Sequence, residues 1–401
     1  MRALATWGLL IILLSGCSNR TQLRAEDPVV VGDATPEAGS DGKPSFAYSE
    51  SEQTRSTVRE ALARIRSGGA NDGITMLREA LQADPSSALA AYNLAVIEHA
   101  SGDLDKAEAH ARQAIENSGG RHKTVSLFDT IMRDAGKSGQ LRSVYEPWIE
   151  RWPEALPIRN ALARLLIDEQ RPSDALRDAS EMLKKDEANL EVMKTIARAY
   201  LAMERIQAAE MVLLQTLELG QDAEVLNLLA QIAMRQKDAQ KAMALFQKAL
   251  AKNANLADAH NNLGVLYHEA GDYEAAIREF EAAIRLSPKY SKAYMNLGNA
   301  QRKSLDFRRA TDAYKEALTL DPGCAECHFN LGLASLENRG TGRDDSAHYR
   351  RAIDHLRRYK EMRRGTGGED ADKYMDEARR MAEALEREER ARPAPEGENS
   401  R

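Results

Sequence analysis

The chain has 401 residues, of which 29% are charged and only 5% are aromatic. This mixture is typical of long helices and unlike that of a β-sandwich. The net charge of −6 gives no sign of a strongly basic face, so nucleic acid is not an expected partner. The chain has three cysteines, Cys17, Cys324 and Cys327, which are too few for a disulfide framework.

Residues 1–16 predict a secretory signal peptide. A positive start at Arg2 is followed by an apolar run over residues 4–14. Crossing a bilayer takes about 20 helical residues, so this run is too short for a membrane span. A short apolar run behind a positive charge is the pattern of a signal peptide.

The signal peptide ends in Leu14-Ser15-Gly16-Cys17, which resembles the lipobox of bacterial lipoproteins. The resemblance implies cleavage before Cys17 and a covalent diacylglycerol and N-acyl lipid on this residue. Several acyl chains together give stable anchoring. Ser18, where an aspartate would retain the lipoprotein elsewhere, implies sorting to the outer membrane, with the protein facing the periplasm. The alternative is an ordinary secreted protein with a chance cysteine.

Residues 17–53 predict a lipidated N-terminus followed by a disordered tether. Prolines and small residues are scattered among acids there, and no helical period is visible. Such a segment behaves as a flexible spacer.

The rest of the chain repeats at a fixed interval. Asn262-Leu263-Gly264 recurs as Asn296-Leu297-Gly298 and as Asn330-Leu331-Gly332, thirty-four positions further along at each step. The same ruler, with one step shorter by a single position, gives six earlier matches: Leu229-Ala230, Ile196-Ala197, Leu162-Ala163, Phe128-Asp129, Leu94-Ala95 and Glu60-Ala61. Nine units result, over residues 54–359, and the second residue of the pair is Gly or Ala in eight of them.

Each unit predicts two helices that pack together. Behind the small residue come another small, a large apolar and a second small position, at offsets of twelve, sixteen and nineteen, as in Ala276, Phe280 and Ala283 after Gly264. Steps of four and three between them place these side chains on one face of a second helix. Gly or Ala allows the helices to approach closely. One hairpin cannot bury its own apolar face, whereas stacked neighbours can.

These columns resemble the tetratricopeptide repeat (TPR). The resemblance implies an all-α, right-handed superhelical solenoid of about nine TPR helix hairpins. It weakens in the first, third and ninth units, at Glu60, at Asp129 and Leu141, and at the apparent insertion 338–343. Residues 360–391 predict a linker and a C-terminal capping helix, and residues 392–401 predict a disordered tail.

Cys324-Ala325-Glu326-Cys327-His328 matches the covalent haem-attachment motif, but the repeat already dictates this register, because His260 holds the position of His328. Two small packing residues are the favoured interpretation of Cys324 and Cys327. A redox pair, a metal half-site and a haem site are the alternatives.

We predict no enzymatic activity, no metal site and no cofactor other than the lipid on Cys17. The sequence has no phosphate-binding glycine loop, no Gly-x-Ser-x-Gly and no His-Glu-x-x-His. Nothing in the sequence pairs a histidine with a nucleophile.

In TPR arrays the first helix of each unit lines a concave groove that binds peptides or partner helices. Transferring those positions to this chain predicts a partner-binding groove of Arg164, Lys194, Arg198, Asn227, Gln231, Asn261, His268, Met295, Asn299 and Arg302. Amide side chains there can bond a partner's backbone, and cations can take its carboxylates. The alternative for each is a solvated helix face.

Taken together, the sequence predicts a scaffold on the outer membrane that binds envelope proteins or peptides. Neither a small-molecule substrate nor nucleic acid is expected as a ligand. The plan is similar to that of TPR lipoproteins of type IV pilus or secretin assembly and of gliding-motility complexes. The alternatives are a periplasmic redox or haem protein built on Cys324, Cys327 and His328, and an adaptor for a cell-wall or polymer-export enzyme.

Overall fold

The computed structural model describes residues 51–338, 346–364 and 369–391, and every regular element in these ranges is helical. The predicted signal peptide, Cys17, nearly all of the tether, part of the insertion and the C-terminal tail lie outside the described residues. The all-α fold class is confirmed. No described helix is both long enough and apolar enough to span a bilayer.

The chain divides into two compact units, residues 1–219 and 220–401. The first unit contains α1 (Glu52–Arg66), α2 (Ala70–Ala83), α3 (Ala88–Ser101), α4 (Leu104–Ser118), α5 (His122–Asp134), a 3-10 turn (Ser138–Gln140), α6 (Leu141–Arg151), α7 (Leu156–Asp168), α8 (Pro172–Lys185), α9 (Leu190–Ala202) and α10 (Ile206–Leu219). The second contains α11 (Ala223–Arg235), α12 (Ala239–Lys252), α13 (Ala257–Glu269), α14 (Tyr273–Leu286), α15 (Ser291–Lys303), α16 (Phe307–Leu320), α17 (Ala325–Glu337), α18 (Ser346–Met362) and α19 (Glu369–Ala391).

The helices follow one another as hairpins, with odd-numbered first helices and even-numbered second helices up to α18. Within each unit a second helix also packs against the first helix of the next hairpin, as α8 does on α9 and α14 on α15. Neighbouring first helices touch as well, such as α7 with α9 and α13 with α15. Stacked helix hairpins, as the repeat in the sequence predicts, are therefore confirmed.

The last helix, α19, packs on α17 and α18. Ala371, Met375, Ala378 and Ala382 are buried against Leu356 and its neighbours on α18. The opposite side of α19 is charged, so this helix covers the apolar face of the ninth hairpin and presents a polar surface to water.

In the seventh and eighth hairpins the two helices meet where a glycine of the first helix faces a large ring of the second. A Cβ placed on Gly264 would lie 2.7 Å from the ring of Phe280, and one on Gly298 would lie 2.5 Å from the ring of Tyr314. Both rings are fully buried. Real non-bonded carbons do not approach so closely, and glycine is therefore required by the packing at these positions.

In each of the first eight hairpins the turn contains one residue in the left-handed region. It lies seven positions after the small residue in each of the first eight hairpins: Gly68, Gly102, Gly136, Gln170, Glu204, Lys237, Gly271 and Leu305. Four of these positions carry a Cβ, which the left-handed conformation disfavours by about 1–2 kcal/mol. The turn geometry therefore overrides the local preference of the residue.

In several hairpins an aspartate follows the left-handed residue and caps the second helix. The side chains of Asp103, Asp238, Asp272 and Asp306 each accept a hydrogen bond from the backbone N–H three residues later. This bond satisfies a backbone donor that the helix itself leaves unpaired, and it fixes where the second helix begins.

We expect Gly298→Ala to lower the free energy of unfolding by about 1–3 kcal/mol, because the new methyl group overlaps the Tyr314 ring. In an ordinary helix the same change would stabilise the fold, so the sign itself is diagnostic. Urea unfolding followed by circular dichroism measures it. Gly139→Ala is the matched control, since nothing lies within 4 Å of its Cβ position; equal effects of both changes would contradict the close contact.

Replacing Leu305 by glycine should raise the free energy of unfolding by about 0.5–1 kcal/mol, because glycine adopts the left-handed conformation without strain. Leu305 is 73% exposed, so little burial is lost. Gly271→Ala, at the equivalent turn with no atom within 4 Å of the added Cβ, should act in the opposite direction. Thermal melts of the two variants that shift the same way would show that the turn conformation does not limit stability.

Candidate functional site

All ten predicted groove residues lie on first helices. In the first unit α7 carries Arg164, and α9 carries Lys194 and Arg198. In the second unit they lie on α11, α13 and α15: Asn227 and Gln231; Asn261 and His268; Met295, Asn299 and Arg302. Their surroundings differ, and they are described unit by unit.

In the first unit two of the predicted cations are held by acids of the chain itself. Arg164 Nη2 lies 2.9 Å from Asp129 Oδ2, and Lys194 Nζ lies 2.6 Å from Glu191 Oε1. Lys194 is only 3% exposed. Arg198 is half-buried and also interacts within the chain. The ammonium of Lys194 is therefore not a ready point of contact for a partner.

Asp129 is the centre of a buried network that the sequence did not reveal. Its Oδ1 accepts a hydrogen bond from the Tyr145 hydroxyl at 2.9 Å, and its Oδ2 accepts from Arg133 Nε and Arg164 Nη2, each at 2.9 Å. Arg133 Nη2 also lies 2.8 Å from Asp168 Oδ2. Burial raises the pKa of Tyr145, and the charge of Asp129 raises it further. Tyr145 therefore stays protonated and donates.

This network explains why the third hairpin departs from the repeat. Asp129 occupies the position that is Gly or Ala in the other eight hairpins, and Tyr145 occupies the facing position on the second helix. A carboxylate cannot pack under a ring as glycine does, so the tyrosine hydroxyl bonds it instead. The available signal was an acid in a column of small residues, with a tyrosine at the facing position of the same unit.

In the second unit three of the groove residues form hydrogen bonds to neighbouring helices. Asn261 Oδ1 accepts from Asn296 Nδ2 at 2.9 Å, and Asn299 Oδ1 accepts from the Tyr314 hydroxyl at 2.9 Å. Arg302 Nη1 donates to both carboxylate oxygens of Glu337, at 2.7 and 2.8 Å. Gln231 and Met295 are half-buried on the same helices.

Several of these contacts follow one rule, because they join residues 35 positions apart on successive first helices. The pairs are His99–Asp134, Asp129–Arg164, Arg133–Asp168, Asn261–Asn296 and Arg302–Glu337. A spacing of one repeat plus one residue is the offset at which neighbouring first helices face each other. The polar residues of these helices therefore bind adjacent hairpins to one another.

Other polar atoms of the first helices are buried without a hydrogen-bond partner among the described residues. They include Asn160 Oδ1, Asn227 Oδ1, His268 Nε2 and Arg302 Nε. Burial, followed by the charge of Lys303, lowers the pKa of His268, which is therefore neutral at pH 7. A buried polar atom without a hydrogen-bond partner lowers the stability of the fold. A bound group that forms a hydrogen bond to one of these atoms would remove that cost.

Cys324 and Cys327 are joined in a disulfide at the first turn of α17. Cys324 Sγ also accepts the N–H of Cys327 at 3.1 Å, so it serves as the helix cap. Cys327 is fully buried beside Ala317 and near Met295. Both residues are buried, as the packing interpretation expects, and they are also covalently linked, as only the alternative of a redox pair expects.

His328 follows Cys327 in the haem-like motif, and its side chain contacts α18. Its Nδ1 lies 3.0 Å from Nδ1 of His355. Within residues 51–338, 346–364 and 369–391, no three His, Cys, Asp or Glu side chains converge as a metal would require.

Six sequence-family models, described as TPR repeat or tetratricopeptide repeat, match the chain at residues 58–122, 166–232, 223–254, 245–278, 266–304 and 291–324. A search of curated protein sequences gave no match. Among solved structures, the chain is similar to the crystal structure of the APC/C hetero-tetramer Cut9–Hcn1, with a TM-score of 0.60 and 18% identity. That match covers 83% of this chain and 65% of the other, and at this identity it shows the fold alone.

Two crystal structures of MamA also match, each at 25% identity with TM-scores of 0.34 and 0.33. They cover 40% and 42% of this chain, and 95% and 94% of their own. Scores this low carry no weight for the fold. The family matches and the helix-hairpin architecture agree, and the chain therefore contains tetratricopeptide repeats stacked in a TPR solenoid fold, which indicates a protein–protein interaction scaffold.

Proposed function

We propose that the protein is a lipid-anchored scaffold of the bacterial outer membrane. It faces the periplasm and binds partner proteins of an envelope machine for motility, pilus assembly or secretion. The TPR fold carries the scaffold part of the proposal. The compartment and the machine rest on separate arguments.

The first helices support binding of proteins rather than of small molecules. Their polar side chains recur from hairpin to hairpin along each unit, which suits an extended peptide or a helix as a ligand. Gln231 is half-buried, so part of its side chain is accessible without disrupting the stack. Most of the other groove candidates already hold neighbouring helices together. A partner would contact the backbone and amide groups that stay exposed beside them.

The compartment rests on Cys17 and gains support from the disulfide. The lipobox-like Leu14-Ser15-Gly16-Cys17 behind an apolar run fits export and lipidation. Disulfides form and persist in the periplasm and are rare in the cytosol. The Cys324–Cys327 bond therefore favours an exported protein by an argument independent of the N-terminus.

The third hypothesis, an adaptor for a cell-wall or polymer-export enzyme, shares the scaffold, the anchor and the groove. It differs only in the identity of the partner. We favour a structural member of an envelope machine because the stacked hairpins of each unit offer several adjacent binding faces.

Cys17→Ser should abolish incorporation of radiolabelled palmitate and release the protein from the outer-membrane fraction, because the sulfur that takes the lipid is gone. Labelling of cells followed by immunoprecipitation measures this. Cys324→Ser is the matched control and should keep full labelling. Label that survives in Cys17→Ser, or a wild-type protein without label, would reject the anchor.

A photo-crosslinking residue at Gln231, on α11, should capture one defined envelope protein in living cells. The same residue at Lys248, which is exposed on the second helix α12 of that hairpin, should not. Mass spectrometry of the adduct names the partner and separates a machine component from a cell-wall enzyme. Equal capture from both positions would argue against the first-helix face as the binding site.

A further inference from the structure

The ninth hairpin contains a pair of histidines in direct contact. His328 of α17 and His355 of α18 have their Nδ1 atoms 3.0 Å apart, and their ring centroids are 5.3 Å apart. His328 is 7% exposed. At this distance one Nδ1 carries a hydrogen and donates to the other, which must be unprotonated to accept. The contact therefore exists only while at least one ring is neutral.

The charged groups around the pair oppose protonation. Lys315 of α16 and Arg358 of α18 bear on His355, and Asp354 of α18 is the acid that acts against them. Arg358 also bears on His328. Burial, then His328 and Arg358, lower the pKa of His355 to about 4. The pKa of His328 is lowered as well, first by burial.

The other contacts between these helices do not depend on a neutral imidazole. His348 Nε2 of α18 lies 2.7 Å from the carbonyl oxygen of Ser335 on α17, and it donates whether or not the ring is charged. Arg363, the residue after α18, lies 3.5 Å from Glu326 of α17. Helix α19 reaches α18 through Lys360–Asp372 and Arg350–Glu386. The histidine pair is thus the contact that acid reverses.

The seventh hairpin contains the same pair with one member changed. His260 lies three residues before Leu263, as His328 does before Leu331, and Glu279 lies three residues after Ala276, as His355 does after Ala352. His260 Nδ1 contacts Glu279 Oε2 at 2.6 Å. The partner there is an anion, which does not repel a charged imidazole. In the ninth hairpin the partner is a second base, and charging both rings sets two cations against each other.

We propose that the His328–His355 pair is a proton-sensitive latch that holds α17 on α18 near neutral pH and lets the ninth hairpin open on acidification. When both rings are charged, the hydrogen bond is lost and two cations face each other beside Lys315 and Arg358. Opening exposes the apolar face of the ninth hairpin that α19 covers. It would couple the accessibility of this end to the pH of the surrounding compartment.

The direction follows from proton binding. A histidine in the open hairpin has a pKa near 6.5, whereas in the closed hairpin the pKa of His355 is about 4. Between these values the open form binds more protons, so the stability of the hairpin is complete above about pH 6.5 and is lost as the pH falls toward 4. For a partly exposed pair we expect the opening equilibrium to rise about tenfold from pH 7 to pH 5.

Hydrogen exchange of the full chain, read by mass spectrometry at pH 7 and pH 5 and corrected for intrinsic exchange rates, tests the latch. The amides of α17 and α18 should open about tenfold more at pH 5, while those of α13 and α14, which contain the His260–Glu279 pair, should not. Uniform loss of protection in both hairpins, or no change in either, would overturn the proposal.

His355→Glu recreates the seventh hairpin's pair in the ninth and should abolish or reverse the acid opening. His355→Gln removes one of the two titrating groups without adding charge, so only the smaller acid response of His328 should remain. Circular dichroism at pH 7 verifies that each variant is folded. A tenfold acid opening that persists in both folded variants would contradict the latch. Should neither fold, the comparison of the two hairpins in the wild-type chain still decides.

Discussion

The close contact between a small residue on one helix and a large side chain on the next is the constraint on which the hairpins depend. At Gly264 and Gly298 the first helix has no Cβ, and the rings of Phe280 and Tyr314 occupy that space. The spacing between the two positions is the same in both hairpins, and it fixes where the chain must turn. A left-handed residue and an aspartate cap then place the second helix in register.

Where an acid stands in place of the small residue, a buried polar network replaces this contact. In the third hairpin Asp129 and Tyr145 exchange the small-against-large packing for a buried hydrogen bond, and two arginines neutralise the carboxylate. Such an arrangement is costly to break, because removing one partner leaves a buried charge. The network also joins α5 to α7, and it therefore serves both the hairpin and the stack.

The polar face of the first helices holds adjacent hairpins together, and under the proposed function it also binds partners. Pairs that are one repeat plus one residue apart tie adjacent hairpins together, and they use the same positions from which TPR proteins bind partners. A residue such as Arg302, whose Nη1 is bonded to Glu337, does not offer this hydrogen-bond donor to a partner. It contributes mainly to the shape and the local charge of the surface. The residues best placed to change partners are the half-buried ones between these ties, such as Gln231.

The period, the hairpins and the presence of a last helix were predictable from the sequence, because each depends on residue type at a fixed spacing. Two features were not. The Asp129 network depends on three side chains, from two hairpins, that meet at one carboxylate. A single position of the repeat does not encode such a meeting. The His328–His355 contact depends on the face that two helices share, and the haem-like motif drew attention to the cysteines instead. Both could be sought by comparing equivalent positions between repeats.

The central claim is that the first-helix face of the stack is a protein-binding surface. The most direct measurement is the hydrogen-exchange footprint of the chain with its captured envelope partner bound and free. The account predicts that added protection concentrates on first helices, on α11, α13 and α15 in the second unit. Protection confined to second helices such as α12, α14 and α16 would contradict it.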